Sequence, residues 1–181
     1  MPLFDPGIAI RLPLYIVLGI VCEFLFTAVC DLVNPSFLKS WNVWQRQAVA
    51  LRTPSAKAPL WRLPGRDPRA VGYSFLWMIP IYGLLIFIEP MRVVLAPLPF
   101  YGRGVIYVIA LWIVEYVGGW FIKKISGRCP WDYSASKFNL HGYLRWDFFP
   151  FWFVFTLLVE WLSGKFIALT PAIKAVSAWR L

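Results

Sequence analysis

Four long runs of apolar residues dominate the chain, and polar or charged segments separate them. The runs cover about residues 12–33, 73–95, 104–122 and 146–162. Because a helix needs about 20 apolar residues to cross a bilayer, each run predicts a transmembrane helix. The fourth run is the shortest and must begin near Trp146 to span. The second and third runs are separated by the short Pro-rich segment 96–103, which predicts a tight turn and an antiparallel helix pair.

The segments between these runs have patterns of their own. Apolar residues recur at helical spacing over residues 35–52, which predicts an interfacial amphipathic helix on the cytoplasmic membrane surface. Residues 53–69 hold four prolines and four basic residues, which predicts an extended loop that contacts anionic lipid headgroups. A separate amphipathic piece is expected from Lys165 to Leu181, after Gly164. We recognise no internal repeat.

The predicted fold class is therefore all-α: a polytopic membrane helix bundle with four transmembrane helices and one or two interfacial amphipathic helices. Residues 1–181 are expected to form a single membrane domain. The composition agrees, because 60% of the residues are hydrophobic and only 15% are charged. A soluble domain is usually about a quarter charged, so these figures exclude a soluble, disordered or disulfide-stapled protein.

Basic residues predict the orientation and the partners. The formal net charge is +9, and 12 of the 18 Lys and Arg lie in the two long connections between the first and second and the third and fourth runs. The positive-inside rule therefore places both long loops in the cytoplasm and both termini outside. In so apolar a chain the positive charge indicates contact with the lipid bilayer rather than with nucleic acid.

Four carboxylates lie inside the apolar runs, one in each. They are Glu23, Glu89, Glu115 and Glu160. A charged side chain at the bilayer centre costs roughly 2.5–3.5 kcal/mol on insertion scales, so these acids are expected to face the bundle interior or to be protonated. The depth along each run places Glu23 and Glu115 near mid-membrane, and the other two toward the outer face. Small residues near Glu23 and Glu115, such as Gly19 and Gly119, predict close helix contacts.

A second concentration of polar residues follows the third run. Asp132 and Ser134 are expected to cap a turn, with Trp131 and Tyr133 as interfacial aromatic anchors. His141 is the only histidine, and without further His or Cys ligands at suitable spacing it predicts no metal site. The chain has no P-loop, GxSxG or HExxH motif, so no catalytic residues and no cofactor can be assigned.

Several motifs occur together in the order that a known family shows. They are Glu23-Phe-Leu-Phe-Thr-Ala28, Ile81-Tyr-Gly83 with Glu89, Glu115-Tyr116 with Gly119, Cys129-Pro-Trp-Asp-Tyr-Ser134 and Asn139-Leu-His-Gly142. With them the chain resembles the ABC-transporter type IV permeases, a family with four-span vertebrate transmembrane relatives. The resemblance implies a small helical membrane protein. The basic insert of residues 35–69 departs from the family pattern.

Three functions remain open at this point. The first is a non-catalytic permease-like or accessory subunit of a larger membrane assembly, whose inward carboxylates handle a small cation, a proton or a lipid headgroup. The second is a purely structural subunit in which the acids hold helices together. The third is an intramembrane lipid- or isoprenoid-modifying enzyme, with Asp132, Tyr133 and His141 at the headgroup end of its site. The absence of a recognisable catalytic motif favours a protein that is not an enzyme.

Overall fold

The structure is a mostly helical one with a short hairpin between its last two long helices. The computed structural model describes residues 7–33, 74–127, 129–134 and 136–178. In chain order these form helix α1 (Ile8–Val33), helix α2 (Met78–Gly83), a 3₁₀ turn (Leu84–Phe87), helix α3 (Ile88–Val94), helix α4 (Phe100–Ser126), strands β1 (Asn139–Leu140) and β2 (Leu144–Arg145), a 3₁₀ turn (Trp146–Phe148) and helix α5 (Phe149–Ala178).

Three of the described helices are long and apolar enough to cross a membrane. The spanning stretches are Ile8–Val29 of α1, Phe100–Ser126 of α4, and Trp146–Val176. Most of their residues are not buried by the protein itself, which leaves their apolar side chains for lipid. The chain is therefore an integral membrane protein. The predicted interfacial helix (residues 35–52) and basic loop (residues 53–69) lie outside the described residues.

The second predicted span is helical but interrupted. It consists of α2, the 3₁₀ turn and α3, which together run from Met78 to Val94. Pro90 has no backbone N–H and cannot donate to the carbonyl of Ile86, so the α-helical ladder cannot continue through this point. Pro90 instead occupies the first turn of α3, where a proline is tolerated. The segment from Met78 to Val94 is thus helical without being one continuous α-helix.

Helix α5 is longer than the fourth predicted span. It continues through Gly164 and Pro171 to Ala178, so the expectation of a separate amphipathic piece from Lys165 is wrong. Apolar residues on both sides of Gly164 are compatible with one helix, and a glycine in a helix costs only about 1 kcal/mol relative to alanine. The Thr170 hydroxyl, just before Pro171, donates to the carbonyl of Phe166 at 2.9 Å.

The connection after α4 contains the hairpin, which the all-α prediction missed. Helix α4 ends where Gly127 takes a φ of 75°, a left-handed conformation that glycine adopts without strain. In the hairpin, Asn139 pairs with Arg145 and Leu140 with Leu144. The turn between the strands has positive φ at His141 (52°) and Gly142 (77°). Strands of two residues are too short to show an alternating pattern in the sequence.

The described residues form two compact units. Of the described residues, unit 1 contains 7–19, 78–114 and 148–178, and its core includes Tyr15, Val108 and Val159, each with no exposed surface. Unit 2 contains the described residues 20–33, 74–77 and those between 115 and 147. Its core is built from the end of α4 and the connection after it, and it contains Ile122, Cys129, Trp131, Tyr133 and Leu144.

Candidate functional site

In unit 1 the carboxylate of Glu89 is held by two residues of α1. Arg11 donates from Nε to Oε1 at 2.7 Å and from Nη2 to Oε2 at 2.8 Å, which is the bidentate geometry of a strong ion pair. The Tyr15 hydroxyl donates to Oε1 at 3.0 Å. The Arg11 side chain is fully buried and the Glu89 side chain is 8% exposed. We call this arrangement the first clamp (Arg11, Tyr15, Glu89).

The carboxylate of Glu160 is held in the same way by two residues of α4. Arg103 donates from Nε to Oε1 at 2.8 Å and from Nη2 to Oε2 at 3.3 Å. The Tyr107 hydroxyl donates to Oε1 at 3.0 Å. This second clamp (Arg103, Tyr107, Glu160) is more open than the first, because the Arg103 side chain is 24% exposed and the Glu160 side chain 13%.

Helices α1 and α4 share a short internal repeat. In each helix the clamp arginine is followed four residues later by the clamp tyrosine, and eight residues after that by a glutamate that is not part of the clamp. The sets are Arg11, Tyr15 and Glu23 in α1, and Arg103, Tyr107 and Glu115 in α4. In both helices the arginine and tyrosine lie in unit 1 and the glutamate in unit 2. The repeated spacing of arginine and tyrosine is visible in the sequence and could have indicated these two residues of each clamp.

The clamps assign a structural part to two of the four predicted acids. Glu89 and Glu160 are each neutralised by an arginine and further satisfied by a tyrosine, so neither needs another ligand. The role of Arg11 was missed, because it lies near the start of the first apolar run. Arg92, only three residues from Glu89, contacts Ser163 of α5 and not Glu89.

The other two acids, Glu23 and Glu115, both belong to unit 2. Ser74 donates a hydrogen bond of 2.5 Å to Oε2 of Glu23. Thr27, one turn along, donates to the backbone carbonyl of Glu23 at 2.9 Å, so its hydroxyl is used within the helix. Among the described residues, Oε2 of Glu115 is buried and accepts no hydrogen bond. Glu115 thus differs from the two clamped acids.

Tyr133 lies under the electrostatic influence of both of these carboxylates. Its side chain is buried in unit 2, and burial together with the negative charges of Glu115 and Glu23 raises the pKa of Tyr133 well above its ordinary value. The Arg145 guanidinium acts in the opposite direction and lies 6.0 Å from the centre of the Tyr133 ring. The Tyr133 hydroxyl is therefore neutral, and both acids oppose its ionisation. We call Glu23, Glu115 and Tyr133 the carboxylate cluster.

The chain around Tyr133 is fixed by the hairpin. Tyr133 N–H donates to the carbonyl of Gly142 at 2.8 Å, and the Trp131 indole donates to the carbonyl of Tyr143 at 3.0 Å. Trp131 and Tyr133 are only 7% and 8% exposed, so the expectation of interfacial anchors is wrong. They pack inside unit 2, where a Cβ on Gly119 would lie 3.3 Å from the Trp131 ring.

The remaining predicted residues lie in the turns of the same segment. Oδ1 of Asp132 accepts the Ser134 N–H at 3.0 Å, which confirms that these two residues form a turn. His141 is exposed, and its Nδ1 forms a hydrogen bond of 2.7 Å with the Tyr116 hydroxyl. Burial raises the pKa of Cys129 to about 12, so its thiol is unreactive. Within the described residues, no three His, Cys, Asp or Glu side chains are grouped to hold a metal ion.

Comparison with known families gives the same assignment as the motifs. Residues 65–179 match the family described as "Putative ABC-transporter type IV". The chain belongs to this family. The matched region contains both clamp glutamates, Glu115 and the Tyr133 segment, while Glu23 and the arginine of the first clamp lie before it. No solved structure matches the chain.

Proposed function

We propose that this ABC-transporter type IV family member is a non-catalytic, permease-like or accessory subunit of a larger membrane assembly. Its carboxylate cluster holds a proton or a small cation. The observation that carries the proposal is the buried Oε2 of Glu115, which accepts no hydrogen bond from the described residues. The two clamps show how this chain neutralises an acid that serves packing, and Glu115 lacks such an arrangement.

Burying an ionised carboxylate away from water costs free energy. An ionised carboxylate in a low-dielectric interior is several kcal/mol less stable than in water unless a counter-charge or donors compensate it. A proton or a bound cation supplies that compensation at Glu115. Glu23 and the Tyr133 hydroxyl provide further oxygen atoms in the same unit. Oxygen ligands of this kind suit a proton or a hard cation better than a transition metal.

The proposal includes four crossings of the membrane. Thirteen α-helical and four 3₁₀ residues make up the interrupted segment from Met78 to Val94. At about 1.5 and 2.0 Å per residue, these extend about 27 Å, close to the hydrocarbon thickness of a bilayer. The distribution of basic residues supports cytoplasmic long loops and external termini.

The structural alternative is favoured by a specific observation, namely that two of the four acids are clamped. A purely structural subunit would have Glu115 as one more packing residue. The two functions are separated by substituting Glu115→Gln and comparing it with Asp132→Asn. Both changes remove one potential negative charge from unit 2, but an asparagine at 132 can still accept the Ser134 N–H.

The test is infrared difference spectroscopy of the purified full chain during titration with protons, Na⁺ and K⁺. We expect the wild type and Asp132→Asn to show the signal of a carboxyl group that gains or loses a proton or cation, and Glu115→Gln to lack it. An unchanged spectrum in Glu115→Gln would refute the role of this acid. Gentle extraction from native membranes tests the subunit part: a stoichiometric protein partner supports it, and particles of this chain alone contradict it.

A further inference from the structure

One face of α5 meets three arginines from three other parts of unit 1. Arg103 binds Glu160, Arg92 contacts Ser163, and Arg11 donates to Thr170 at 3.0 Å. The positions 160, 163 and 170 are separated by three and seven residues, so they share one face of the helix. A row of cations therefore lies against one face of α5.

The charges of this row do not balance. Arg11 and Arg103 are each paired with a carboxylate in a clamp, but no described carboxylate lies within ion-pair distance of Arg92. The one hydrogen bond that it forms with a described residue is long, from Nη1 to the Ser163 hydroxyl at 3.4 Å. That hydroxyl already donates to the carbonyl of Glu160 at 2.6 Å. A half-buried guanidinium with five donors and one weak neutral acceptor is incompletely satisfied.

Because Gly164 has no side chain, the Arg92 guanidinium can lie against α5 at this position. A Cβ at residue 164 would lie 2.9 Å from Nη1 of Arg92, so any larger residue would displace the side chain. Arg103 contacts Glu160, which is one turn before Gly164, so the two guanidinium groups bind α5 about 5–6 Å apart along its axis. Two arginines therefore contact neighbouring turns of α5.

The position along the helices places Arg92 near a membrane surface. Arg92 lies two residues before the end of α3, and Arg103 lies three residues after the start of α4. Between these helices the chain makes a short exposed turn at residues 95–99. The phosphate groups of a bilayer lie just outside its hydrocarbon core, at the depth where such a turn emerges.

The surface around Arg92 favours a lipid over a soluble anion. Val93 and Val94, which follow Arg92, are 49% and 66% exposed, and Trp161 of α5 is 60% exposed. Such apolar and aromatic side chains contact acyl chains and the interfacial region of a bilayer. The exposed Lys165, with its ammonium 5.3 Å from the centre of the Trp161 ring, adds a positive charge next to Gly164 in the chain.

From these observations we infer that the Arg92 guanidinium, which lies over Gly164 and beside Ser163, binds the phosphate of an anionic phospholipid. The guanidinium donates to the phosphate oxygens, and Arg103 adds to the positive potential. The phosphate supplies the negative charge that the row of arginines lacks. The residues of this site belong to unit 1, whereas those of the carboxylate cluster belong to unit 2.

The test is native mass spectrometry of the delipidated full chain in mild detergent, titrated with phosphatidylglycerol, phosphatidylcholine or inorganic phosphate. We expect the wild type to retain phosphatidylglycerol, and Arg92→Gln to bind it about tenfold more weakly, as the loss of a charge-assisted hydrogen bond predicts. Lys124→Gln, which removes one exposed positive charge from α4, is the matched control and should bind like the wild type.

Gly164→Ala changes no charge but adds a Cβ where the Arg92 guanidinium lies. It should therefore displace the guanidinium and also weaken lipid binding. Equal binding by Arg92→Gln and Lys124→Gln would overturn the proposal, as would unchanged binding in Gly164→Ala. If inorganic phosphate binds to the wild type but not to Arg92→Gln, and neither chain retains lipid, then Arg92 binds phosphate and the proposal that a phospholipid supplies it is refuted. Circular dichroism of each variant checks that a loss of lipid binding does not result from a loss of helical structure.

Discussion

The first clamp is where a single substitution should destabilise this protein most. Replacing Arg11 by glutamine removes both charge-assisted hydrogen bonds to Glu89, at 2.7 and 2.8 Å, and the bond to Thr170. The carboxylate of Glu89 would remain inside unit 1 with only the Tyr15 hydroxyl as a described donor. An acid in that position is stable only if it takes up a proton or the helices separate.

The magnitude follows from the burial of the two groups. Their side chains are 0% and 8% exposed, so water cannot replace the lost partner. Removing one member of such a buried pair costs about 3–5 kcal/mol. The corresponding change in the second clamp, Arg103→Gln, should cost less, because its side chains are 24% and 13% exposed and solvent compensates part of the loss.

The assay is unfolding of the purified chain in mixed micelles of rising sodium dodecyl sulfate content, followed by circular dichroism. The variants are Arg11→Gln, Glu89→Gln and the double substitution. Each single change leaves an uncompensated charge, whereas the double change leaves none. We therefore expect the double variant to be more stable than either single variant, with a coupling free energy of about 2–3 kcal/mol between the two sites.

An additive result would refute this reasoning. If the losses of the two single variants simply sum in the double variant, the ion pair contributes no coupling, and the clamp is two independent polar residues. A loss below about 1 kcal/mol in Arg11→Gln would refute it as well, since that is the range of an exposed pair.

Two further predictions concern packing and ionisation. Gly19→Ala should lower the free energy of unfolding by about 1–3 kcal/mol, because a Cβ there would overlap the base of the Tyr82 side chain. Gly83→Ala is the control in the same assay. Its Cβ would meet only ordinary contacts of 3.5 Å or more, so it should leave stability unchanged or raise it. Iodoacetamide reacts with the thiolate form of cysteine. At pH 8.5 the thiol of Cys129 should be about half ionised in the unfolded chain but almost entirely protonated in the folded chain, where its pKa is about 12. We therefore expect much slower alkylation of Cys129 in the folded chain at this pH. Because the folded-state pKa is the higher one, the stability contributed by this thiol is complete below about pH 8.5 and is lost as the pH rises toward 12. Equal alkylation rates would contradict the buried position.

The membrane class and the family were predictable from the sequence. Long apolar runs with one carboxylate each are a local property of the chain, and so are the proline that interrupts the second run and the turn of Asp132 and Ser134. The motif from Cys129 to Ser134 likewise indicated the family that the comparison confirms.

The environment of each carboxylate was decided by tertiary structure. All four acids looked alike in the sequence, since each lies within an apolar run. Glu89 finds Arg11 at a separation of 78 residues and Glu160 finds Arg103 at 57, and only the packing of unit 1 brings them together. The hydrogen-bonding state of Glu115 and the burial of Tyr133 depend in the same way on how unit 2 folds.

The physical reason is the range of the forces involved. Hydropathy acts on each segment independently, because a segment of about 20 apolar residues enters a bilayer whatever its neighbours are. Ion pairs and hydrogen bonds act over about 3 Å and require side chains from distant segments to meet. The sequence by itself thus determined which segments are apolar enough to meet lipid. The folded structure determined which acids are neutralised by an arginine, and that Oε2 of Glu115 accepts no hydrogen bond from a described residue.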